Sequence, residues 1–99
     1  MDTKSKMEEP EIEAALEKLD GWVVGEAGRL VKEFQFHDFV DAFGFMTRAA
    51  LIAEKMEHHP EWVNVYNRVS VGLYTHDAKG ITLSDVQLAN AMDGLVKPD

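Results

Sequence analysis

Pro60, directly after a pair of histidines, divides the middle of the chain into two kinds of periodicity. Upstream, from Asp38 to about Met56, apolar residues recur at helical spacing, with Phe39, Phe43, Met46, Ala50 and Ala53 on one stripe and Asp38 as the N-cap. Downstream, from Trp62, the chain is rich in aromatic and β-branched residues and alternates with a period of two. The residue before a proline is pushed out of the α region by collision with the ring, so the helix ends early and hands His58 and His59 to a turn. On a continuous strand the two imidazoles would face opposite ways, whereas a turn lets both point into one cleft.

The same two periods account for the rest of the chain. Pro10 suits a first helical turn, and Ile12, Ala15, Leu16 and Leu19 follow at helical spacing until Asp20-Gly21 ends the run. Trp22 to Val24, the glycine-bearing turn 25–28, and Leu30, Phe34 and Phe36 alternating with Val31, Glu33 and Gln35 predict a first hairpin. Trp62–Tyr66 and Val69–Thr75 predict a second, turning at Asn67-Arg68, with Val63, Val65, Val69, Val71 and Leu73 on the core face and a mixed, aromatic even-numbered face left open. Thr82, with Asp85 three residues on, opens a last helix through Val86, Ala89, Met92 and Leu95 or Val96, the Thr82 hydroxyl serving as its cap. The predicted fold is α+β: a four-stranded antiparallel sheet with three helices on one face, in the order helix-strand-strand-helix-strand-strand-helix. Residues 1–8 read as a flexible N-terminal arm, and residues 9–97 as a single domain.

Composition narrows the function. A net charge of −8 argues against direct nucleic-acid binding, which rests on Lys and Arg displacing counterions from phosphates. No cysteine is present, so disulfides, thiol catalysis and Cys-based zinc sites are excluded, and the composition suits the cytoplasm. No stretch approaches the roughly 18 apolar residues of a membrane helix, and the first twenty residues lack an apolar leader segment.

The titratable groups are where chemistry can reside. His58, His59 and His76, with Glu54 and Asp85, form a candidate site in which imidazoles near neutrality hold donor and acceptor forms together and carboxylates orient the rings. Singly, each has a plainer reading. Glu54 with His58 is an ordinary i, i+4 pair, Asp85 a capping residue, His37 a neighbour of a cap, and Trp62 and Tyr66 packing residues. The grouping is what lifts them. Adjacent histidines chelate zinc awkwardly, and neither an H-E-x-x-H spacing nor a G-x-S-x-G elbow occurs, so neither a metal ion nor a nucleophilic serine is expected.

The spacing Glu54-x3-His58-His59-Pro60-x5-Tyr66-x9-His76-x8-Asp85 resembles the signature of the pterin-4a-carbinolamine dehydratases, the DCoH-type proteins. The likeness extends to Leu19-x-x-Trp22, the run Trp62 to Asn67 and Thr75-His76-Asp77, and spans about Glu9 to Val96. The resemblance implies the same element order and subunits that pair through their sheets into homodimers or homotetramers. It also implies dehydration of a 4a-hydroxytetrahydropterin to the quinonoid dihydropterin, a hydro-lyase reaction that recycles a tetrahydrobiopterin-type cofactor. By that likeness His58, His59 and His76 are acid/base and hydroxyl-binding groups, Glu54 and Asp85 orienting carboxylates, and the backbone of His58–Pro60 and of Thr75, His76, Asp77 and Ala78 holds the pterin edge. No cofactor or metal is implied, because the carbinolamine nitrogen itself supplies the electron pair that expels the hydroxyl. The alternative on this scaffold is a non-enzymatic dimerisation or assembly cofactor that binds a protein partner.

Overall fold

The computed structural model describes residues 2–96; the expected domain end at 97 lies outside the described residues. Helix α1 (Glu9–Lys18) starts at a capping box in which the Glu8 backbone N–H donates to Glu11 Oε1, with Pro10 in the first turn. It ends where Gly21 turns with a φ of +80°. Strands β1 (Val23–Val24) and β2 (Leu30–Gln35) flank a short 3₁₀ turn, as the first hairpin predicted. Helix α2 (Phe39–Met56) is capped by Asp38, whose Oδ1 accepts the Asp41 N–H at 2.8 Å. Strands β3 (Glu61–Val65) and β4 (Arg68–Leu73) and helix α3 (Leu83–Val96) complete the order expected. The sheet runs β1-β2-β4-β3, antiparallel throughout. No helix among the described residues is long and apolar enough to cross a membrane.

Two predicted faces are corrected. The β3–β4 turn is centred on Tyr66-Asn67, one residue early, with Tyr66 at a φ of +54° and Asn64 Nδ2 donating to the carbonyls of Tyr66 and Arg68. That two-residue turn pairs Val63 with Ser70 and Trp62 with Val71. Directly opposed residues share a face, so parity reverses between the two strands. Val69, Val71 and Leu73 are core as expected, but Val63 and Val65 lie on the open face, 63% and 54% exposed, and Trp62 packs toward the core. On α2 the inward stripe is Ala42, Phe45, Ala49 and Ala53; Phe39, Phe43 and Ala50 face outward and Met46 is half-buried. On α3, Leu88 joins Ala89 and Met92 in the core, and Leu95 rather than Val96 continues the stripe.

Trp22, Phe34, Phe36 and Phe45 form the aromatic centre of the core, with Phe34 and Phe45 centroids 4.7 Å apart. At its edge the buried Asp93 carboxylate accepts the Trp22 indole N–H at 3.0 Å and the Lys32 ammonium at 2.8 Å, and Lys32 also caps the Asp20 carbonyl. This network ties α3 to β2 and to the end of α1. Trp22→Phe keeps most of the ring packing but removes the N–H, and is expected to cost about 1.5–3 kcal/mol in urea unfolding, the range for a hydrogen bond to a charged group.

Residues 3–7 of the arm lie across the start of α3. The Ser84 N–H and hydroxyl both donate to the Thr3 carbonyl, the Met7 N–H donates to the Ile81 carbonyl at 2.8 Å, and Lys6 bridges Thr82.

Candidate active site

Helix α2 ends with Glu57 in the left-handed region, at a φ of 55°, its N–H bonded back to the Ala53 and Glu54 carbonyls. The His58 N–H also returns to the Ala53 carbonyl at 3.0 Å, a Schellman-type close that reverses the chain. The reversal separates the two histidines. His58 turns inward and is 6% exposed, whereas His59 stays on the surface.

Behind His58 stands Asp85, fully buried on the first turn of α3. His58 Nε2 lies 2.5 Å from Asp85 Oδ1. The other carboxylate oxygen accepts the Thr82 backbone N–H and the Thr75 hydroxyl, each at 2.9 Å. Because the Thr75 proton is used there, the Thr82 hydroxyl donates to Thr75 Oγ1 at 2.7 Å. The expected capping box is therefore half formed: Asp85 serves the Thr82 N–H, but the Thr82 hydroxyl is spent on β4's extension rather than on the helix.

The other two histidines have their own carboxylates. Glu54 accepts from His59 Nε2 at 2.8 Å, so its partner is His59, five residues on, and not His58 as the helical spacing suggested. His76 begins the 3₁₀ turn 76–78 that follows β4, a turn closed by the Thr75–Gly80 bridge. Its Nε2 stands 3.6 Å from Glu61 Oε1, and its ring meets Tyr74 edge-on at 5.2 Å. Glu61 in turn takes a two-pronged ion pair from Arg29, whose guanidinium also lies 4.8 Å from the centre of the Tyr74 ring. The Arg29 hydrogen bond holds the Glu61 carboxyl below its usual range, with a smaller contribution from His76, and the same pair raises Arg29.

His58, His59 and His76 line one open cleft of about 460 Å³ with Lys4, Glu57, Tyr74, Thr75 and Asp77. The two histidine-bearing segments, distant in sequence, thus meet as expected. Glu54 and Asp85 act on rings rather than line the cleft, Pro60 and Ala78 stand outside its lining, and Tyr66 lies in the β3–β4 turn. Lys4, Glu57, Tyr74, Arg29 and Glu61 were not anticipated. Lys4, Arg29 and Glu61 carry no local signal, because each reaches the site through a contact remote in sequence; Glu57 enters through the helix-ending reversal and Tyr74 by its place beside Thr75 and His76. The one convergence of metal-ligand types among the described residues is His37, Asp38 and Asp41, where Asp38 is already the α2 cap.

A family model described as Pterin 4 alpha carbinolamine dehydratase matches residues 5–95. The chain is 55% identical over 91 residues to a Solibacter usitatus protein named "Putative pterin-4-alpha-carbinolamine dehydratase", covering 92% of this chain and 95% of that one. A Prochlorococcus marinus protein of the same name is 44% identical over 92 residues, covering 93% and 96%. The crystal structure titled transcriptional coactivator/pterin dehydratase from Brucella melitensis superposes with a TM-score of 0.91 at 45% identity, covering 94% of this chain and all of that one. Sequence signature, fold and relatives agree, and the chain belongs to the pterin-4a-carbinolamine dehydratase family.

Proposed function

We propose that this protein is a pterin-4a-carbinolamine dehydratase, a hydro-lyase acting on 4a-hydroxytetrahydropterins, with His58, His59 and His76 as its acid/base and hydroxyl-binding groups. The observation that carries the reading is the meeting of these three imidazoles at one cleft, each beside a carboxylate: Asp85, Glu54 and Glu61. In the reaction the N5 proton leaves, the nitrogen lone pair forms the C4a–N5 double bond, and the C4a hydroxyl takes a proton and departs as water. That chemistry needs a base and an acid on the two sides of one small ring, which neighbouring imidazoles supply near neutral pH. In this reading the pterin edge lies along His58, His59 and the backbone of Thr75 to Asp77, flanked by Pro60 and Ala78.

The expected pH dependence of the rate is a bell, because one group must act unprotonated as the base and another protonated as the acid. Glu61 does not set the acid limb. Its carboxyl is depressed by Arg29, so its pairing is fully present above the ordinary carboxylate range and is lost only as the pH falls through the lowered value. The decay rate of freshly generated 4a-hydroxytetrahydropterin, measured against pH, checks this; a flat profile between about pH 5 and 9 contradicts histidine acid/base catalysis.

In this reading the protein works as a cytoplasmic homodimer or homotetramer. The supporting features are Val23, Val63 and Val65 exposed on the open sheet face and Phe39, Val40, Phe43 and Leu51 on the outer face of α2. A second reading, a dimerisation cofactor for a protein partner, draws on those same surfaces and on the coactivator in the Brucella title. A stoichiometric partner retained after His58→Ala and His59→Ala distinguishes it.

A further inference from the structure

The arm places Lys4 at the ring nitrogen of His58 that Asp85 does not occupy. Lys4 Nζ stands 3.1 Å from His58 Nδ1, and Lys4 lines the cleft. Its position is fixed from both sides. Thr3 is held through its carbonyl by Ser84, and Lys6 bridges Thr82. The arm also passes close over Gly80, where a Cβ would stand 2.9 Å from Lys6 Cε.

We propose that Lys4 is a positioning residue of the dehydratase site, holding His58 as the neutral ring protonated at Nε2. This rests on the function proposed above. An ammonium carries three donors and no lone pair, so at this distance it donates and Nδ1 must accept. The buried carboxylate of Asp85 accepts on the other side, so Nε2 carries the proton. A doubly protonated ring would set an N–H against the ammonium. Both nitrogens of His58 are thereby engaged, and its tautomer is set by two groups, as in sites where a remote partner fixes an imidazole. The imidazoles with freedom to exchange protons at the cleft are then the exposed His59 and His76, while His58 presents a fixed, uncharged ring beside a positive charge.

The test uses the full chain without substrate first. ¹⁵N spectra of histidine-labelled protein are expected to show His58 Nδ1 unprotonated and hydrogen-bonded and Nε2 protonated, with the Nδ1 resonance displaced in Lys4→Met. In the dehydration assay Lys4→Met is expected to lower kcat about tenfold, the lower end for loss of a remote partner, with KM within about twofold and the melting temperature unchanged. The chain has no cysteine, so Lys4→Cys can be alkylated selectively with 2-bromoethylamine to restore an ammonium at nearly the same reach. Recovery of kcat and of the Nδ1 resonance on alkylation supports the role. Protonated Nδ1 in the wild type, or an unchanged Nδ1 resonance in Lys4→Met, overturns it. The spectra stand apart from turnover, so a wild type that shows the expected tautomer but no dehydration contradicts the proposed function and not the Lys4 contact.

Discussion

Replacing His59 with alanine is expected to lower kcat for carbinolamine dehydration by about 10²- to 10⁴-fold, the range for loss of a positioned proton-transfer group. The fold does not depend on this ring. His59 is exposed and, among the described residues, its side-chain partner is Glu54, itself on the surface. The variant should therefore melt within a few degrees of the wild type, so that a lost rate reports chemistry. Glu54→Gln keeps an acceptor for the ring but not the charge, and its effect should be smaller, about tenfold. A folded His59→Ala variant with kcat within a factor of about three of the wild type contradicts proton transfer by this residue.

Asp85→Ala is expected to damage stability rather than the chemical step alone. One buried carboxylate accepts from His58, from the Thr75 hydroxyl and from the Thr82 backbone N–H, joining the α2–β3 turn, the end of β4 and the first turn of α3. Its removal strands three buried donors at once. Three buried donors left unsatisfied, at about 1–3 kcal/mol each, cost at least about 3 kcal/mol, a fall in melting temperature of roughly 15–20 °C for a domain of this size. Asp85→Asn retains one carbonyl acceptor but turns an NH₂ toward the remaining donors, and should fall between the two. Thermal and urea unfolding measure both; an alanine variant that melts within about 5 °C of the wild type would show that the three donors find other acceptors.

What could be read in the sequence was what local chemistry dictates. Pro60, the Asp38 cap, the Asp20-Gly21 stop and the changes between helical and strand period placed the helices and strands, and the grouping of His58, His59 and His76 named the imidazoles that line the cleft. The faces were harder. A core position for Val63 and Val65 follows only if parity passes unchanged through the hairpin, and its two-residue turn reverses it. Helix α2 is apolar on two sides, so its period does not choose between the Phe39–Phe43 side and the Ala42–Phe45–Ala49–Ala53 side that packs inward. Helical spacing matches Glu54 to His58, but left-handed Glu57 breaks the helix before that spacing applies. Lys4 and Glu61 meet their histidines only through tertiary contacts, and charged residues in an arm and at a strand start look like ordinary surface.

The most direct measurement is the ultraviolet time course of freshly generated 4a-hydroxytetrahydropterin at neutral pH, with and without a substoichiometric amount of the wild-type protein. Acid/base catalysis by the imidazoles at this cleft predicts decay to the quinonoid dihydropterin at a rate proportional to protein concentration, over many turnovers. Decay at the spontaneous rate in the presence of folded wild-type protein would contradict it.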